Sequence, residues 1–118
     1  GKDVAPMVRK APREAQWISF GVYLQGLPWQ TRQRVTVVNG TGELAFGKAQ
    51  LGLAAQERWL AEDPAALLPT AQQLRAEAPQ RPVYVLSKNQ DWKNVPGSQR
   101  GAFAVEAEEA GLVLARLR

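Results

Sequence analysis

Cysteine and histidine are both absent from this sequence. Their absence removes zinc sites of the common structural kind, thiol catalysis, disulfide frameworks and any Ser-His-Asp triad. It does not fix a compartment, because a domain without cysteine suits an oxidising space as well as a reducing one. Long apolar runs are missing too. The longest, such as Val35 to Val38 and Leu112 to Ala115, are strand-sized, far short of the roughly 18 to 20 residues that cross a bilayer. The chain as given therefore reads as soluble and without a signal peptide.

What is present is an ordinary globular composition. Hydrophobic residues make up 45% and charged residues 22% of the 118 positions, which argues against a disordered tail and for one domain, 1–118. The net charge is +4. The positive residues are scattered, from Lys2, Arg9 and Lys10 through Arg75, Arg81, Lys88 and Lys93 to Arg116 and Arg118. A nucleic-acid binder concentrates such residues on one element with interleaved aromatics, so no nucleic-acid partner is expected. A solvated basic surface is the plain reading, and one resting near anionic phospholipid headgroups is the alternative.

Local pattern divides the chain as follows. Asp3 to Ala11 suggests a short helix ended by Pro12, with Val4, Met7, Val8 and Ala11 on one face. Trp17 to Leu24 reads as a buried strand, broken by Gly26 and Pro28, with one helical turn over Leu27 to Arg32. Arg34 to Val38 is a second strand, closed by Asn39-Gly40. Residues 41–55 resemble a glycine-punctuated loop, and 55–61 around Trp59 a short helix. Asp63-Pro64 is a cap-and-proline helix start, followed by the stripe Leu67, Ala71, Leu74, Ala78. Pro69 divides that helix into a first turn and a body, and Pro79 and Pro82 terminate it. Val83 to Ser87 is a third strand. Asn89 to Val95 is a short helix carrying Trp92, ended by Pro96-Gly97. Two last strands, Ala102 to Ala107 and Leu112 to Leu117, join at Glu109-Ala-Gly111 as a hairpin.

Strands separated by helices imply right-handed crossovers and a mainly parallel sheet. The expected fold is α/β: a small three-layer Rossmann-like domain with about three parallel strands plus a C-terminal antiparallel hairpin.

Few residues suggest chemistry. Gly40-Thr-Gly42-Glu-Leu-Ala45 matches the dinucleotide fingerprint G-x-G-x-x-A after a strand. Gly47 and Gly52 break the helix that should hold the pyrophosphate, and the acidic pair Glu62-Asp63 precedes a helix instead of ending a strand, so a structural turn is favoured. Among carboxylates, Asp63 is explained as a cap, and Glu106 and Glu108 as the solvated side of a strand. Glu43 stands out, either pinning the glycine loop through backbone amides or touching a substrate. Trp17, Trp59 and Trp92 read as core. Trp29, beside Pro28 in a loop, is the tryptophan most open to docking on a protein or membrane interface, with burial in the core the plainer reading because small domains bury most of their aromatics.

The segments Tyr23-Leu-Gln-Gly-Leu-Pro-Trp, Arg34-Val-Thr-Val-Val and Gly42-Glu-Leu-Ala-Phe-Gly, in that order, resemble the soluble tail of bacterial membrane glycosyltransferases of the aminoarabinose-transferase and dolichyl-phosphate-mannose mannosyltransferase type. Matching positions are Tyr23, Gln25, Leu27, Pro28, Arg34, Val35, Glu43, Leu44, Phe46 and Gly47, and Trp59 resembles a tryptophan that often follows. The chain departs from the family after Pro28, where Trp29-Gln-Thr-Arg-Gln stands in place of a phenylalanine-tyrosine-leucine-x-arginine stretch.

The resemblance implies the C-terminal, extracytoplasmic part of an inner-membrane enzyme that moves a sugar from a polyprenyl-phosphate donor to a lipid or protein acceptor. The catalytic acids of such enzymes lie on loops between transmembrane helices. This fragment would then be an accessory domain with no catalytic residue and no cofactor of its own. Its partner would be the transmembrane part of the parent enzyme, with phospholipid headgroups nearby. Tyr23, Gln25, Pro28, Trp29, Glu43 and Phe46 are the candidates for substrate or interface contact. The alternative is a free-standing Rossmann-like module that binds a ligand or a protein through the same sheet edge.

Overall fold

A computed structural model describes residues 5–21, 35–38, 57–61 and 64–118. Its centre is a six-stranded mixed sheet in the order β3-β2-β1-β4-β6-β5. The strands are β1 (Gln16–Phe20), β2 (Val35–Val38), β3 (Glu57–Ala61), β4 (Val83–Lys88), β5 (Phe103–Glu109) and β6 (Leu112–Leu117). Strands β3, β2, β1 and β4 run parallel, whereas β6 is antiparallel to both β4 and β5.

Every residue of β1, and all of β4 except Lys88, is buried. Such continuous apolar runs arise where both faces of a parallel sheet are covered. Alternation sorts the side chains. Ile18, Phe20, Val83, Val85, Val113, Ala115 and Leu117 join one cluster with Leu67, Ala71 and Leu74. Trp17, Val35, Tyr84, Leu86, Leu112 and Leu114 join a second, with Met7 and Ala15. The rings of Trp17 and Tyr84 lie 5.7 Å apart on that second face. On the first, Trp92 meets Phe103 edge to face at 5.9 Å. Trp17 and Trp92 are therefore core residues, 2% and 8% exposed.

The helices are α1 (Ala5–Val8), α2 (Leu67–Glu77), α3 (Asn89–Trp92) and α4 (Gly97–Arg100). The long helix begins later than Asp63-Pro64 suggests. Pro64–Ala66 forms a 3-10 turn, and Ala66 takes the cap position without a side-chain cap. Pro69 then falls in the first turn of α2, where its missing N–H costs nothing. The free N–H of Leu68 is instead satisfied from 31 residues away, by the Gln99 side-chain oxygen at 3.1 Å. Gln99 also donates to the Ala65 carbonyl at 2.8 Å. At the other end, the buried Gln16 amide reaches the carbonyls of Leu74 at 2.9 Å and Arg81 at 3.2 Å. Two glutamines distant in sequence thus close both termini of α2.

Several expectations need correction. The segment around Trp59 is strand β3, because parallel pairing with β2 outweighs the helix preference of its Ala- and Glu-rich flank. The parallel part therefore has one strand more than the three expected. Helix α1 is a single turn, continued by turns in which Arg9 donates to the Ala5 carbonyl and Lys10 to the Met7 carbonyl. Pro96 does not simply end structure. Its carbonyl accepts from both Gln99 and Arg100 and starts α4.

The hairpin also differs in detail. Its loop is the pair Ala110 (φ 53) and Gly111 (φ 77), the two left-handed residues that a tight hairpin turn requires. The ladder slips between Val105 and Ala107, so Glu106 is an extra residue in a β-bulge. Glu106 was expected to be merely solvated. It accepts hydrogen bonds from the Tyr84 hydroxyl at 3.0 Å and from Arg116 Nε at 2.8 Å.

Candidate functional site at the carboxyl edge of the parallel strands

The chain leaves β1 for β2 on one side and, after β3 and α2, returns to β4 on the other side of β1. Strand order thus reverses between β1 and β4. In open α/β sheets the crevice at such a reversal, beyond the carboxyl ends of the strands, is where ligands gather. Here it lies between Gly21, just after β1, and α3, just after β4.

Gly21 is held in a conformation that side chains rarely adopt, φ +89°, with its N–H donated to the Val38 carbonyl at 3.0 Å. A Cβ at this position would come within 2.6 Å of the Asp91 Cβ and 2.7 Å of its carboxylate Oδ2. The Asp91 side chain therefore seals the β1–β4 crevice against the glycine backbone. Nearby, Ser19 is fully buried and its hydroxyl has no hydrogen-bond partner among the described residues.

Helix α3 distributes its residues in three directions. Trp92 enters the core, Asp91 turns to β1, and Asn89, Gln90 and Lys93 face a groove of about 420 Å³ shared with Lys88 and Gly111. The groove lies between α3 and the β5–β6 turn. The Asn89 N–H donates to the Gly111 carbonyl at 2.7 Å, which ties the two walls together. Two of the three carboxylates of the adjacent hairpin are engaged elsewhere, Glu109 by Lys10 at 3.5 Å and Glu106 by Arg116. Lys88 and Lys93 have no carboxylate within 4.0 Å among the described residues.

A second polar cluster sits on the sheet face near α1. Burial, reinforced by the hydrogen bond to Glu106, pushes the Tyr84 hydroxyl above the ordinary tyrosine range. The same carboxylate accepts from Arg116 and holds that guanidinium protonated more firmly still. With both oxygens of Glu106 occupied, this cluster fastens the bulge and offers no free group for chemistry.

The candidates Tyr23, Gln25, Pro28, Trp29, Glu43 and Phe46, and with them the Gly40 to Ala45 motif, the Leu27 to Arg32 turn and Asp63, lie outside the described residues. The strand ends that lead into the two candidate segments are described. β1 and β2 are parallel neighbours, in register from Trp17 opposite Val35 to Phe20 opposite Val38, so the two strands end side by side at one edge of the sheet. The groove residues Lys88, Asn89, Gln90 and Lys93 were not singled out by sequence. Their signal was the abrupt change from the buried Val83-Tyr-Val-Leu-Ser to the polar Lys-Asn-Gln-Asp at a strand end.

Fold and edge together define an α/β domain with a mixed sheet and several helices. No protein-family model, curated protein or solved structure matches the chain. Among the described residues no helix is long and apolar enough to cross a membrane, and no group of three or more acidic side chains is placed to hold a metal ion.

Proposed function

We propose that this chain is the extracytoplasmic accessory domain of a bacterial inner-membrane glycosyltransferase that uses a polyprenyl-phosphate sugar donor, with a three-layer Rossmann-like arrangement. The domain carries no catalysis of its own. It covers the cavity in which donor and lipid or protein acceptor meet, docking on the transmembrane part of the enzyme. The observation that supports this reading is the parallel pairing of β1 with β2. That pairing sets the ends of β1 and β2, Phe20 and Val38, side by side at one sheet edge, and these are the strands that precede in sequence the two segments carrying the resemblance, Tyr23 to Arg32 and Gly40 to Gly47. An edge built this way is where contacts of an open α/β sheet concentrate.

The test is sugar transfer by the full-length enzyme carrying Trp29→Ala or Glu43→Gln. Transfer falls at unchanged expression and membrane insertion if the edge shapes acceptor access. Wild-type activity in both variants refutes the reading. The reading of the frame upstream of Gly1 is an independent check, since a parent enzyme requires many membrane spans before this domain, with acidic residues in its early extracytoplasmic loops. A frame without spans would favour the free-standing binding module.

A further inference from the structure

We infer that the groove between α3 and the β5–β6 turn is a binding site for a phosphate group. Its described lining carries two ammonium groups from Lys88 and Lys93, two carboxamides from Asn89 and Gln90, and the Gly111 backbone. Ammonium groups bind phosphate as point charges, and carboxamides supply neutral donors for the remaining oxygens.

Three features make this more than a pair of surface lysines. The acids nearest in sequence are directed away, Asp91 onto Gly21 and Glu109 onto Lys10, so the positive charge in the groove is not cancelled internally. The walls are fixed to each other by the 2.7 Å backbone hydrogen bond from Asn89 to Gly111, so the main-chain frame of the groove is set before binding. Gly111 also presents no side chain at the mouth, which leaves room for a group esterified to the phosphate. A phosphate of two sources shares this chemistry: a phospholipid headgroup or a soluble phosphate ester. The phosphate site stands on the groove alone, and only the lipid source rests on the accessory-domain reading above.

The probes are inorganic phosphate and glycerol phosphate, titrated into the folded chain while amide resonances are followed, and vesicles of phosphatidylglycerol and phosphatidylcholine, compared with phosphatidylcholine alone, by co-sedimentation. Phosphate should shift the amides of Lys88 to Lys93 and Gly111 ahead of all others. Replacing one groove lysine, K88Q or K93Q, should weaken binding about fivefold, as expected for loss of one charge near an anionic surface. The pair R9Q/R100Q removes two charges outside the groove and should leave the local shifts intact.

Local shifts with phosphate together with K88Q/K93Q-sensitive sedimentation on anionic vesicles identify the source as lipid. Local shifts without vesicle binding identify a soluble phosphate ester and still support the site. Absence of localised shifts, or equal loss in K88Q/K93Q and R9Q/R100Q, overturns the proposal. Neither result depends on sugar transfer, so the site and the accessory-domain reading can fail separately.

Discussion

Gly21→Ala is the sharpest probe of the β1–β4 crevice. The substitution imposes two separable costs. A left-handed backbone costs a residue with a Cβ about 1 to 2 kcal/mol. The new methyl must also displace Asp91, whose Cβ, Cγ and Oδ2 lie 2.6 to 2.7 Å from it. Overpacking of this kind typically costs about 1 to 3 kcal/mol. The sum is about 2 to 5 kcal/mol, which at a urea slope of about 2 kcal/mol per molar lowers the unfolding midpoint by about 1 to 2.5 M. Asp91→Gly deletes all three obstructing atoms. In that background Gly21→Ala should cost only its backbone share, so a double-mutant cycle should show a coupling of about 2 kcal/mol. The single variants, the double variant and the wild type need only equilibrium urea unfolding followed by tryptophan fluorescence. A coupling within about 0.5 kcal/mol of zero, the limit of ordinary additivity, would refute the claim that Asp91 seals this crevice.

Other consequences follow from the same contacts. Ala110→Gly should stabilise the domain by about 1 kcal/mol in thermal or urea unfolding, since φ 53 is a conformation that glycine adopts without strain. Gln16→Leu should cost about 2 kcal/mol, because it strips hydrogen bonds from the buried Leu74 carbonyl near the end of α2 and from the part-buried Arg81 carbonyl beyond it. A neutral result would show that those carbonyls find other partners. Glu106→Gln should cost less than about 1 kcal/mol, as its pair with Arg116 is 33% to 41% exposed and screened by solvent. The Tyr84 hydroxyl titrates above its unfolded value, so its contribution is complete below about pH 10 and is lost as pH rises through the folded value. Stability should decline at alkaline pH, and phenolate absorbance of Glu106→Gln should show a lower midpoint that burial still keeps above normal.

Sequence pattern read well wherever periodicity and burial coincide. Of the stripe Leu67, Ala71, Leu74 and Ala78, the first three lie in the core as spaced and Ala78, just past α2, is half-buried; the alternation of β4 sorts Val83 and Val85 from Tyr84 and Leu86. It read poorly where distant residues decide. A 3-10 turn over Pro64–Ala66 precedes α2, and the Leu68 amide at the start of that helix is met by Gln99, 31 residues away. Val105 and Ala107 both occupy apolar steps of an alternating stretch. The bulge at Glu106 leaves Val105 48% exposed and puts Ala107 against the opposite cluster. No short window of sequence contains an inserted residue as such. The approach of Asp91 to Gly21 was likewise illegible, because it exists only once β1 and β4 are paired.

The bulge in β5 has a consequence beyond the Tyr84 and Arg116 contacts. Among the described residues β5 is an outermost strand, with one row of amides and carbonyls unpaired by the sheet and the apolar Val105 beside it. A flat strand of that kind invites a second copy to add itself by continuing the ladder. The extra residue twists the margin out of flatness, and the exposed Glu108, which has no ion pair among the described residues, places negative charge along it. Two identical margins meeting antiparallel would bring two copies of that carboxylate together. The residue that interrupts the alternation thus keeps the sheet finite, and a chain lacking Glu106 would regain a regular outer strand prone to self-association.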